Sequence, residues 1–336
     1  MKNLRVGLVG LGVMGRNHAR ILSSLPGVDF VGICDETENI VSPLAGVPLV
    51  NEIEELISMN IDYAVVSVPT SSHFSVGSKL ATNGISFLIE KPIVANLEEA
   101  FLLKRLAEEM KVLIGVGHIE RYNPAFQEAK RRLKQIGQVA QVSTSRFGPR
   151  PQRIQDVGVI TDLLIHDLDS ISWLLDETYA SIFADAFMTE SSNFEDAVSV
   201  SATLKSGVAI SHLVNWVSAT KKRQSMIFGT EGTFVVDTLT ADLTFHEKSP
   251  SLSTWANLAQ FAGGYEGRST TYNIVKVEPL LLEHLTFRNA ILGESHEHVS
   301  IDEGIAALRF ATAALMSARD HRPVLPDEIT WRKIEG

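Results

Sequence analysis

The chain reads as a two-part α/β protein, in which a doubly wound parallel sheet precedes an α+β part with a large, mainly antiparallel open sheet. Three observations predict this. A β-like run, LRVGLV (4–9), passes through G10-LGVMG-15 straight into the helical pattern VMGRNHARILSSL. Strand and helix patterns then alternate as far as residue 118. Beyond that, a series of alternating runs follow one another with no helix between them. Repeated βα units imply parallel strands wound on both faces, while consecutive strands joined by short turns imply antiparallel pairing. The expected parts are residues 1–120 and 121–336.

The opening strand, glycine turn and helix form the context in which G-x-G-x-x-G carries information. Gly10 permits the tight turn, Gly12 lets backbone N–H groups at Val13 and Met14 approach a pyrophosphate, and Gly15 lets the helix pack close to the strand. The next apolar run, VDFVGIC, ends beside Asp35, 20 residues after Gly15. A carboxylate there accepts hydrogen bonds from ribose hydroxyls and repels a 2′-phosphate, so the expected cofactor is NAD on a Rossmann-type domain. IDYAVVSV (61–68) is a buried-strand run stopped by Pro69, with Ser71 or Ser72 as N-cap for a helix over 73–82. ISFLIE (85–90) ends in Glu90-Lys91-Pro92. Asn96 and Glu99 predict a capping box for a helix over 97–110, and VLIGVGH (112–118) is a further strand. Ligands of such sheets bind at the carboxyl ends of the strands, which puts Pro69, Thr70, His73, Glu90, Lys91 and His118 among the candidate site residues.

The second part begins with a helix over 124–136 and a strand over 139–147. The runs ASIFADAFM, AVSVSATL, VAISHLVNWV, RQSMIFGT, GTFVVD and ADLTFHE supply the sheet. One of its faces is expected to associate with a second copy of the chain, as a dimer or tetramer. Residues 249–270 are expected to form a long mobile loop, with helices over 276–292 and 301–320 closing the chain. H296-EH-298 follows Gly293 and fits a solvated loop better than a metal site.

Bulk properties narrow the function. With Lys+Arg of 30 against Asp+Glu of 40, the net charge is −10 and there is no long basic run, which argues against nucleic acid as a partner. The one cysteine, Cys34, excludes an internal disulfide and a multi-cysteine metal site. No apolar run reaches membrane-spanning length, and a cytoplasmic location is the expectation.

The stretch I160-TDLLIHDLD-169 places Asp162, His166 and Asp169 on one helical stripe beside leucines and isoleucines. Spacing alone leaves a wet helix face, an acid/base pair and half a metal site all open.

The dinucleotide turn, EKP at a strand end and D-x-x-x-H on a helix together resemble the glucose-fructose oxidoreductase / inositol dehydrogenase / MocA family over essentially the whole chain. The resemblance implies that Lys91, Asp162 and His166 line a sugar site beside the nicotinamide. V116-GHIERYNPAF-126 and R146-FGPRPQRIQDVGVITDLLIHDLD-169 look like the members that oxidise UDP-N-acetylglucosamine at C3, ahead of an aminotransferase. This places His118, Arg121, Tyr122 and Asn123 on the substrate side. Many members carry two or three glycines before the Asp, where this chain has Gly158 alone, a departure that bears on substrate shape. The expected chemistry is oxidation of a secondary hydroxyl. His166 is the favoured base, oriented by Asp162, and Lys91 donates to the substrate oxygen, although Lys91 could itself take the proton. Arg121, Arg146, Arg150 and Arg153 are candidate diphosphate donors. Two alternatives stand beside this: an inositol or free-sugar dehydrogenase of the same family, and a non-catalytic NAD- or ligand-sensing protein.

Overall fold

The computed structural model describes residues 3–37, 42, 44–151, 157–189, 192–248, 267–295 and 297–329. The first compact unit is built on β1 (Leu4–Val9), α1 (Val13–Leu22), β2 (Val28–Cys34), β3 (Leu49–Val50), α2 (Ile53–Ser58), β4 (Tyr63–Val66), α3 (Thr70–Thr82), β5 (Ser86–Glu90), α4 (Leu97–Met110) and β6 (Ile114–Gly117). The six strands are parallel, in the order β3-β2-β1-β4-β5-β6. Chain order changes direction between β1 and β4, which is where a doubly wound sheet opens its ligand crevice. Continuous apolar runs form the central strands because both faces are covered; Val6, Leu8, Tyr63, Val65, Phe87 and Ile89 are fully buried.

The second unit carries α5 (Pro124–Arg132), β7 (Val139–Pro149), a π-helical turn at Ile160–Leu164 that runs into α6 (Ile165–Leu175), and β8 (Tyr179–Phe187). It continues with β9 (Ala197–Leu204), β10 (Ala209–Asn215), β11 (Val217–Gly229), β12 (Gly232–Asp237), β13 (Asp242–Glu247) and β14 (Ser269–Thr271). Its eight strands run β14-β13-β12-β11-β7-β10-β9-β8. Only the β10–β7 pair is parallel, so the sheet is mainly antiparallel as expected. Alternation of buried and open residues along β9 and β10 follows the two-residue period of a sheet with one packed face.

Two further helices follow, α7 (Pro279–Ile291) and α8 (Ile301–Asp320). Glu278–Arg309 cluster with the chain up to Ile119, whereas the sequence expectation put all of 121–336 in the second part. The cause is apolar packing: Leu280 and Phe287 of α7 join the same core as Leu8, Leu22 and Ile33, and the Phe287 ring meets Tyr63 edge-on at 5.7 Å.

Other differences are local. Helix α3 starts at Thr70, three residues before the expected start at 73, with Pro69 fixing the backbone at its N-cap. The expected helix over 276–292 begins only at Pro279, which has no N–H to give and suits a first helical position. Of the loop expected at 249–270, residues 249–266 lie outside the described residues, and Ser269 opens β14. His296 also lies outside them. No helix among the described residues is long and apolar enough to cross a membrane.

Candidate active site

The β1–α1 turn has the geometry its glycines require. Gly10 sits at φ +93, and a Cβ there would meet the Ser67 backbone at 2.7 Å; a Cβ on Gly15 would lie 2.0 Å from the Gly10 carbonyl oxygen. Around Gly12 nothing lies within 4 Å of the same test position, so the approach to the helix end is open. Helix α1 has no side-chain cap and no acid in its first turn, and the Val13 side chain is exposed. Its free N–H groups and dipole therefore suit an anionic group such as a pyrophosphate. Asp35 accepts from the Leu11 N–H at 2.6 Å and from the Thr37 N–H at 2.9 Å. Burial works to raise the Asp35 carboxyl, but the bonds from Thr37 and Leu11 outweigh it and hold it below the usual carboxylate range. An ionised carboxylate tied to the glycine turn fits a free ribose 2′-hydroxyl and opposes a 2′-phosphate.

The ends of β4, β5 and β6 deliver the other candidates of this unit. His73 is buried: its Nδ1 faces the Pro92 carbonyl at 2.9 Å and its Nε2 faces the Val68 carbonyl at 3.0 Å. It thus ties α3 to the two loops that follow β4 and β5, a bracing position not visible in its sequence spacing. Burial pushes His73 below its ordinary value against the pull of these carbonyls. Lys91 directly follows β5 and is partly exposed, and the Lys91–Pro92 peptide is cis. Glu90 accepts from His18 Nε2 at 3.0 Å and from the Lys91 backbone N–H at 3.2 Å. Its burial favours the neutral acid, yet the bond from His18 and the Lys91 charge prevail and hold it below the carboxylate range. His118, just past β6, is buried.

In the second unit, Asp162 and His166 differ from their neighbours in exposure. Between Gly158 and Ile171 every residue is buried except Thr161, Asp162 and His166, which are partly exposed. Asp162 lies within the π-helical turn and His166 in the first turn of α6, an arrangement that spacing could not reveal. Glu195 secures the turn from outside: its carboxylate accepts the Ile160 N–H at 3.0 Å and its carbonyl accepts the Val159 N–H at 2.9 Å. A Cβ on Gly158 would lie 2.1 Å from that carboxylate, which explains a glycine at this position.

The neighbours of this pair are anchors. Asp169 receives a two-pronged bond from Arg121 at 2.8 and 2.6 Å. Arg146 is clamped by Asp167 at 2.7 Å and by Glu120 at 2.9 Å, and is only 3% exposed. Burial opposes the Arg146 charge, but the two carboxylates outweigh it. Arg121 and Arg146 are thus engaged by internal carboxylates, which their expected reading as diphosphate donors did not foresee. The cause is that Asp169, Asp167 and Glu120, distant or ambiguous in sequence, converge on them. Asn123 caps α5 by accepting from Ala125 N–H at 3.0 Å and donates to the Thr238 carbonyl at 3.1 Å, so it too holds structure. Tyr122 is buried. Arg150 is 33% exposed, lies over the Trp216 ring and bonds Asp196 at 2.9 Å and Ser192 at 2.8 Å. Arg153 lies outside the described residues.

Sequence reasoning missed Arg223. It sits across from Arg146 on β11, is 30% exposed, and contacts Glu120 at 3.3 Å. Burial lowers its hold on the proton and nearby Arg146 adds to this, while Glu120, Asp167 and Asp162 oppose them. An arginine within electrostatic reach of Asp162 is a polar donor on the same face. Its β11 position between Lys222 and Gln224 gave no signal. Among the described residues no group of three or more His, Cys, Asp or Glu is placed to hold a metal.

A glycine turn open to an anion, an ionised acid at the second strand end and a lysine after a buried strand define a nucleotide-dependent oxidoreductase domain. The described second unit adds a partly exposed Asp162 and His166. The comparisons agree. The oxidoreductase family with an NAD-binding Rossmann fold, GFO/IDH/MocA, matches residues 4–118, and the GFO/IDH/MocA C-terminal domain matches residues 126–235. The chain belongs to the GFO/IDH/MocA family of NAD-binding oxidoreductases, whose relatives are dehydrogenases acting on sugar and polyol hydroxyls. It is 28% identical over 94% of its length to the UDP-N-acetylglucosamine 3-dehydrogenase of Acidithiobacillus ferrooxidans, covering 96% of that protein. The solved structure of that enzyme superposes with a TM-score of 0.83 at 25% identity, over 95% of this chain and 99% of the other. The scyllo-inositol 2-dehydrogenase (NAD(+)) of Bacillus subtilis is 30% identical over 53% of this chain and 56% of its own.

Proposed function

We propose that the protein oxidises the C3 hydroxyl of UDP-N-acetylglucosamine to the 3-keto sugar, with NAD as the acceptor. The observation that carries this reading is the extent of similarity. The likeness to the UDP-N-acetylglucosamine 3-dehydrogenase runs through 94% of the chain, whereas the inositol dehydrogenase match covers 53%.

Each residue contributes a defined act. Gly12, Val13 and Met14 present backbone N–H groups to the pyrophosphate, and Asp35 accepts from the ribose hydroxyls. NAD, when bound, supplies the acceptor for the hydride that leaves C3. Lys91 donates a hydrogen bond to the C3 oxygen and stabilises alkoxide character as it develops. His166 takes the hydroxyl proton on its imidazole, and Asp162 orients that ring. Arg150 and Arg223, both partly exposed, join Arg153 as candidates to read the diphosphate. An aminotransferase acting on the 3-keto product, and pairing of two or four copies through the second-unit sheet, complete the proposal.

The test is a substrate panel: purified protein with NAD and UDP-N-acetylglucosamine, UDP-N-acetylglucosaminuronate, free hexoses or inositols, following NADH absorbance with a ketone trap present. NADH formation confined to UDP-N-acetylglucosamine is expected. Turnover of inositols without turnover of UDP-sugars would replace this reading with the polyol one.

A further inference from the structure

Behind Glu90 lies a second polar feature that the reaction as described does not use. His18 of α1 faces Glu90 with Nε2 and faces Nε2 of His284, on α7, with its own Nδ1 at 2.8 Å. Both imidazoles are 1% exposed, and their rings meet edge-on at 5.0 Å. The two residues are 266 positions apart, so the last part of the chain reaches back to complete the environment of the EKP segment.

The tautomers follow from the acceptors. Glu90 is ionised, so His18 must present Nε2–H to it. A neutral His18 then carries a lone pair on Nδ1, and this is satisfied if His284 donates through Nε2–H. The remaining nitrogen of His284, Nδ1, has no hydrogen-bond partner among the described residues. A bare lone pair there costs less than a buried, unpaired N–H, so the neutral arrangement wins over one with an imidazolium at His18. Burial, with His18 close by, keeps His284 well below its ordinary value and therefore uncharged. Two further groups feel the Glu90 charge: His73, which burial holds below its ordinary value, and Glu283, also on α7 and 1% exposed. Burial, with the Glu90 charge adding to it, raises its carboxyl well above the usual range, so it sits as a neutral acid and does not compete for the His18 proton.

We infer that His284 and His18 form a buried hydrogen-bond chain that fixes the Glu90 carboxylate against the Lys91 peptide, and so act as positioning residues for Lys91. Every donor in the chain points the same way: His284 to His18, His18 to Glu90, with the Lys91 N–H closing on the other carboxylate oxygen at 3.2 Å. An apolar trio would fill this space without the desolvation cost of three polar groups. What it could not do is hold a charged carboxylate at a fixed distance from the residue that binds the reacting oxygen. The inference rests on the proposed role of Lys91.

The test compares His284→Leu, which removes the donor, with His284→Gln, which keeps an N–H able to reach His18. Nitrogen-15 spectra of the imidazoles report the chain without any substrate. The expected wild-type result is a neutral, Nε2-protonated ring at both positions, with His18 losing that single tautomer in the leucine variant and keeping it in the glutamine variant. In the NADH assay on whichever hydroxyl substrate the panel identifies, His284→Leu should lower kcat by roughly 10- to 100-fold, the scale of a displaced catalytic group. The KM for NAD should hold, and His284→Gln should recover most of the rate. An imidazolium or Nδ1-protonated ring at His18 in the wild type overturns the chain. Unchanged kcat in His284→Leu, with the tautomer lost, overturns the positioning role. An inactive wild type with the expected spectra would fault the substrate reading and the role of Lys91 while leaving the chain intact.

Discussion

Arg146→Met is the most informative single perturbation of the second unit. Methionine keeps much of the side chain's volume and removes the guanidinium. Glu120 and Asp167, 9% and 3% exposed, are then left facing space that held a cation. Breaking a buried pair by removing one partner costs about 3–5 kcal/mol, and here two carboxylates lose the same partner. Two contacts soften the loss: Arg223 still reaches Glu120 at 3.3 Å, and the Thr144 hydroxyl still donates to Asp167 at 2.9 Å. An expected cost of about 4 kcal/mol results, a large share of the roughly 5–15 kcal/mol typical of a folded domain. Urea denaturation followed by tryptophan fluorescence measures it. The sign of its pH dependence is fixed as well. Arg146 and Arg223 hold Glu120 below its usual range, so the stability from Glu120 is present above its unfolded value and fades as pH falls through the lower folded one. The gap between wild type and variant should therefore narrow at acid pH. It should persist in high salt, because buried charges are little screened. Adding Glu120→Gln and Asp167→Asn to Arg146→Met should recover much of the loss. A single-variant cost below about 1 kcal/mol, the size of an exposed pair, would refute the buried clamp.

Three other outcomes follow from named contacts. Gly158→Ala should drive the new methyl into the Glu195 carboxylate, releasing the Ile160 N–H; kcat should fall more than overall stability, and circular dichroism should show the fold retained. His212, held between the Tyr179 hydroxyl and Thr144, is pushed down to about 4 by burial, with Arg146 adding to this and Asp167 opposing it. Its contribution to stability is complete above about pH 6.5 and is lost as pH falls toward its folded value. It is worth roughly 3 kcal/mol over that window, and His212→Gln should flatten the measured decline. Asp35→Ser should raise the KM for NAD and admit NADP, since it removes both the ribose acceptor and the charge that opposes a 2′-phosphate; steady-state kinetics with the two cofactors decides it.

The first unit was legible in sequence because its signals are local. The glycine turn, the acid after the second strand and the Asn96 cap, which accepts the Glu99 N–H at 3.0 Å, each depend on residues close together in the chain. The strands of the second unit showed through their two-residue alternation, but the parallel β10–β7 pair did not, because pairing partners are not written in the periodicity. Charge was the hardest signal to read. The carboxylates that engage Arg121 and Arg146, at Asp169 and at Asp167 and Glu120, come from other elements. Arg223, Glu195 and the His18–His284 contact were invisible for the same reason. Spacing put Asp162 and His166 on one stripe but assigned them no role; the expected role came from the family resemblance. Their burial contrast and the π-helical turn at Asp162 needed the fold.

The most direct measurement of the proposed activity is the fate of the hydrogen on C3. UDP-N-acetylglucosamine deuterated at that carbon, incubated with the protein, NAD and a ketone trap, should give deuterium-labelled NADH by mass spectrometry, in step with trapped 3-keto sugar. Unlabelled NADH, or no NADH from this substrate beside ready reduction by an inositol, would contradict it.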